Sequence, residues 1–165
     1  MSLPDLAAVL WRQRDLLERL VYRLECEQLL LAAGRTRFLA LATGEVEGLM
    51  AELRFIEVQR AGAADRAARE AGLAPGASLA ELAAAVQPPW TGVLVEHRDT
   101  LLALTRELGA LAESNRTLMA AGLRAVEAAL SGAATRDATA SVGYDARGRS
   151  DLLSGAGPIV VDRAL

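Results

Sequence analysis

The sequence predicts an all-α protein: an elongated up-and-down bundle of long antiparallel helices, with one short extra helix and a disordered C-terminal tail. Three observations carry this reading. Residues 91–131 contain no proline and place leucines in two heptad-spaced rows, Leu94, Leu101 and Leu108 in one and Leu104, Leu111 and Leu118 in the other, the spacing of a helix that packs along another helix. A second row at the start of the chain, Leu3, Leu10, Leu17, Leu24 and Leu31, repeats the period. Only six of the 165 residues are aromatic, while alanine and leucine dominate, which is the composition of helices packed on helices.

Taken in order, Ser2 with Asp5 three residues on forms an expected capping box, and Pro4 is tolerated in a first turn, so the first helix begins at the start of the chain. Leu6 and Leu20 supply its second apolar row, which Gln13 and Glu27 interrupt. Arg12, Asp15, Glu18, Arg19 and Arg23 are mixed in sign, as on a solvated face. Gly34 is the expected stop. The sequence leaves open whether residues 35–42 break the first two helices apart or join them.

Thr43, followed by Glu45 and Glu47, is expected to cap the second helix. Its stripe reads Val46, Leu49, Leu53 and Ile56, then Ala63, Ala67 and Ala71, and the change to alanine implies closer helix approach at that end. Gly72 ends it. Ser78 and Glu81 form a capping box for a short helix through Val86, and Pro88-Pro89 then breaks the chain because a residue before proline leaves the helical region. Trp90 is expected to pack the corner before the long helix.

Past Leu118 the apolar stripe of the long helix steps to Met119, Leu123, Val126 and Leu130. At 1.5 Å per residue this helix is about 55 to 60 Å long. The first two helices are shorter, so residues 119–130 are where uncovered apolar surface is expected. After Ala134 the chain turns to glycine, serine, threonine and aspartate without a sustained period. The expected domains are therefore a helical bundle over 1–134 and a flexible tail over 135–165.

Charge and motif content exclude several functions. A net charge of -3, a pI near 5.3 and arginines interspersed with acids offer no basic stripe for nucleic acid. No uncharged run approaches 18 apolar residues and the start has no leader character, so a cytoplasmic protein without membrane insertion is expected. The chain shows no phosphate loop, no CxxC pair and no G-x-S-x-G, and with one histidine it cannot supply a di-iron bundle. Neither enzyme chemistry, a cofactor nor a metal is expected, and Cys26 stands alone. His97, on the seam beside Glu96, reads as a structural imidazole needing one hydrogen bond. Asn115 reads as a register-fixing polar residue or a recognition residue.

Leu24-Glu25-Cys26-Glu27 followed by leucines, Leu53-x-x-Ile56-Glu57-x-x-Arg60, Asn115-Arg116-x-Leu118 with Leu123 and Val126, and Tyr144-Asp145-x-x-Gly148 occur in this order. Together they resemble the FlgN-type flagellar export chaperones over nearly the whole chain. The resemblance implies a cytoplasmic, non-enzymatic chaperone that binds the terminal helical segments of the hook-filament junction proteins FlgK and FlgL and brings them to the type III export apparatus. It implies client contacts around Asn115, Leu118, Met119, Leu123, Val126 and Leu130, and a contact of Tyr144 with the export gate. The short helix and the Pro88-Pro89-Trp90 corner depart from the family pattern. An exposed stripe also fits a structural coiled-coil module that self-associates as a homodimer and has no export client.

Overall fold

The computed structural model describes residues 2–140 and the side chains of residues 2–133. Its elements are α1 (Ser2–Ala32), a single 3-10 turn (Thr36–Phe38), α2 (Leu39–Glu70), α3 (Leu79–Ala85) and α4 (Trp90–Ala140). There is no strand among the described residues. The chain divides into two units, Met1–Gly122 and a second beginning at Leu123.

In the first unit α1 is the shared helix. Its buried residues, among them Leu6, Val9, Leu10, Leu16, Leu17, Leu20 and Leu24, cover more than one narrow seam, as a helix with neighbours on two sides requires. Ion pairs and hydrogen bonds fix the directions. Arg23 of α1 reaches Glu45 of α2 at 3.0 Å, and the Ser2 N–H donates to Glu70 Oε2 at 3.2 Å, so α1 and α2 are antiparallel. Arg14 lies 3.7 Å from Glu96 and Gln28 Nε2 donates to Ser114 Oγ at 2.6 Å, so α1 and α4 run parallel. This is the up-down-up order, in which the first and third long helices must point the same way.

The turn between α1 and α2 follows from Gly34, whose φ of +63° is open to glycine at little steric cost. The Gly34 N–H bonds Leu31 O at 3.1 Å and the Arg35 N–H bonds Leu30 O at 2.9 Å, satisfying carbonyls that the helix end would otherwise strand. The 3-10 turn then leads straight into α2, so residues 35–42 are a break and the start of the next helix. This corrects the expected start at Thr43. With α2 beginning at Leu39, Thr43 lies inside the helix, and its hydroxyl points across to α1 instead of capping a terminus.

At the other end of α2, Gly72 at φ +76° repeats the device, with the Leu73 N–H on Ala68 O at 2.8 Å. Ala63, Ala64, Ala67 and Ala68 are buried here together with Leu82 of α3, which is fully enclosed in the same apolar core. α3 is set by the expected capping box: Ser78 Oγ accepts from the Glu81 N–H at 3.2 Å, and Glu81 Oε2 accepts from the Ser78 N–H at 2.8 Å. Trp90 is half-buried where α4 begins. α4 continues through Ala140, past the expected tail boundary at Ala134. Residues 141–165, on which most of the expected tail falls, lie outside the described residues.

Candidate functional site

The two polar interruptions of the α1 leucine row do different work. Glu27 is 3% exposed and joins three helices. Its Oε1 accepts from Thr43 Oγ1 of α2 at 2.7 Å, and its Oε2 accepts from Asn115 Nδ2 of α4 at 3.0 Å. The same Asn115 nitrogen donates to Leu24 O at 3.0 Å. A carboxylate taken out of water must be hydrogen-bonded to persist, and here each partner comes from a different long helix. One turn of sliding along the seam would strand Glu27, so the cluster sets the register of α4 on α1. Asn115, 2% exposed, is thus held inward with its donors spent on α1, which is the register-fixing arrangement.

His97 is also interior, 3% exposed, with its ring edge-on to Trp11 at 4.9 Å between centroids and 84° between planes. Its Nδ1 has no hydrogen-bond partner among the described residues, one bond fewer than expected. Burial pushes its pKa below the usual 6.5, against the pull of Glu96. Among the described residues no cluster of His, Cys, Asp and Glu is arranged to hold a metal.

The register also measures how far α1 covers α4. Gln28 stands beside Ser114, and one turn further on Ala32, the last residue of α1, comes level with Leu118. The coverage of the α4 seam follows suit: Leu94 is fully buried, Leu101, Leu104, Leu108, Leu111 and Leu118 are half-buried, and Met119 is exposed. In the second unit Leu123, Val126 and Leu130 are 62%, 57% and 67% exposed. Their spacing of three and then four puts them on one face of the helix. Tyr144 lies outside the described residues.

Sequence reasoning missed the surface around Trp11. Trp11 and Phe55, both more than half exposed, flank an outer cleft of about 730 Å³ between α1 and α2. Arg19 spans it, 4.0 Å from Asp15 on its own helix and 4.0 Å from Glu52 on α2. Trp11 falls outside the leucine rows, so only the rotation of α1 reveals where it faces.

The described residues are all-α, and the longest helix carries exposed apolar residues on one face, which defines the class by its fold alone, an all-α helical protein. The chain belongs to the FlgN family, whose model, described as FlgN protein, matches residues 1–151. It is accordingly a flagellar export chaperone. No curated protein and no solved structure matches the chain. No helix among the described residues is long and apolar enough to cross a membrane.

Proposed function

We propose that this protein is a non-enzymatic, cytoplasmic chaperone that holds hook-filament junction proteins of the FlgK and FlgL type and delivers them to the export gate. The observation that supports this reading is the exposure of Leu123, Val126 and Leu130 on one face of α4. Isolated exposed aliphatic residues are ordinary, but three at helical spacing form anchors for an amphipathic helix laid alongside, the helix-in-groove mode. Burying one such side chain is worth about 1.5 to 3 kcal/mol. Three of them outweigh a good part of the cost of ordering a client segment.

In this reading Leu118 and Met119 lead into the client stripe, and Asn115 acts one step back by fixing the register of the helix that carries it. Tyr144 is the contact offered to the export gate. The test is the double substitution Leu123→Asp with Val126→Asp, read as the affinity for a FlgK or FlgL terminal segment. Both side chains are exposed, so stability should change by no more than about 0.5 kcal/mol per site while affinity falls at least about tenfold. Unchanged affinity would remove the stripe as the client face.

A further inference from the structure

A second helix-sized surface lies within the first unit. α1 forms the floor of a trough, with Gln13 and Leu17 along it; Met50, Leu53 and Glu57 of α2 make one wall, and Leu101, Gly109 and Ala112 of α4 make the other. The open volume is about 280 Å³ over this stretch. A further pocket of about 420 Å³ shares Gln13 and Leu101 with it and carries the trough on to the start of α3.

Four features indicate what belongs there. The chain itself roofs the far end of the trough with a helix: α3 begins beside Leu101 and Leu102, and at its other end Thr91 Oγ1 of α4 donates to Val86 O at 2.7 Å. That helix stops at two turns, and the trough between α2 and α4 is left uncovered beyond it. The α4 wall opens at Gly109 and Ala112, between larger residues, and a Cβ added at Gly109 would meet nothing within 4 Å, so another backbone can approach closely there. On the floor Gln13 is 7% exposed, yet its Oε1 has no hydrogen-bond partner among the described residues. A buried amide in an apolar floor is costly until something bonds it.

We infer that the trough between α2 and α4 is a docking site for one amphipathic helix of a client chain, which continues the roof that α3 begins. The client helix presents aliphatic residues at i, i+3 or i+4 and i+7 to Met50, Leu53 and Leu101. It turns one hydroxyl or amide side chain down to the Gln13 amide, which can serve as donor or acceptor by a half-turn. Glu57 lines one stretch and Arg60 and Arg98 the next, so the client's outer edge matches them with a basic residue at the first and an acidic one toward α3. The identity of the client rests on the export-chaperone reading, but the site is distinct from the Leu123, Val126 and Leu130 stripe.

The experiment is a calorimetric titration of the full chain with the helical terminal segments of a hook-filament junction protein. Wild type is compared with Gly109→Trp, which fills the trough, Gly48→Trp as a control on an open glycine elsewhere, and Gln13→Leu. The expected result is saturable binding to wild type, weakened at least about tenfold by Gly109→Trp, severalfold by Gln13→Leu, and unchanged by Gly48→Trp. Wild-type affinity in a folded Gly109→Trp variant would overturn the trough while leaving the chaperone reading in place. No binding to wild type would overturn the chaperone reading and the trough's client with it. A wild-type dimer that Gly109→Trp dissociates would assign the trough to a second copy and overturn the inference as stated.

Discussion

At the scale of single residues, the interior polar groups carry the sharpest consequences. Asn115 satisfies half of the Glu27 carboxylate, so Asn115→Ala leaves a buried charge short of a donor. Chemical unfolding should show a loss of about 2 kcal/mol. Thr43→Val removes the other donor, and the two substitutions should couple in a double-mutant cycle, because both act on one carboxylate. His97 gives a dependence on pH with a definite sign. Burial lowers its pKa from 6.5, so the folded state prefers the neutral imidazole. Its contribution is complete above 6.5 and is lost as pH falls from 6.5 through the lower folded value. Arg14 also disfavours the imidazolium, while Glu96 opposes the shift. Thermal unfolding followed from neutral to mildly acid pH should therefore show a slope on the acid side of 6.5 that His97→Leu removes. An unchanged slope in that variant would place the titrating group elsewhere.

At the scale of elements, the chain is legible at the boundaries set by a glycine or by a complete capping box. Gly34 and Gly72 at positive φ, and the Ser78 and Glu81 capping box, lie where local rules put them. Gly34→Ala should cost about 1 to 2 kcal/mol through its left-handed backbone. Ser78→Ala should cost about 1 kcal/mol through the lost cap of α3. Thr43 was misread for a physical reason. Threonine followed by acids is a cap only if the helix has not already begun, and the 3-10 turn at Thr36–Phe38 starts α2 before Thr43 is reached. Glu27 looked like a gap in a leucine row because its partners, Thr43 and Asn115, belong to other helices. A heptad shows which face is buried but not what it meets. The trough and the Trp11 cleft are hidden in the same way, since the first depends on how three helices, and the second on how two, are rotated about their axes.

At the scale of the whole molecule, the leucine rows announce long helices, and their unequal lengths announce a surplus of apolar face on the last one. The register adds the end point: α1 gives out level with Leu118, and the α4 seam, already only half covered, becomes exposed from Met119 on. The chain's membership of the FlgN family supports the proposal that this surface holds an export client, since an apolar helix face can be covered by a helix from another chain. The rigid register cluster and the bare stripe are complementary parts of this account. The first keeps α4 in place on α1, and in the proposed function the second takes a partner.

The most direct test of that account is calorimetric titration of the protein with the C-terminal helical segments of its own FlgK and FlgL proteins at several temperatures, with a flagellin segment as control. The account predicts saturable binding of a junction-protein segment with a negative heat-capacity change, the mark of apolar burial, and much weaker binding of the control. A homodimer that already buries Leu123 and Val126 and takes up no junction-protein segment would contradict it.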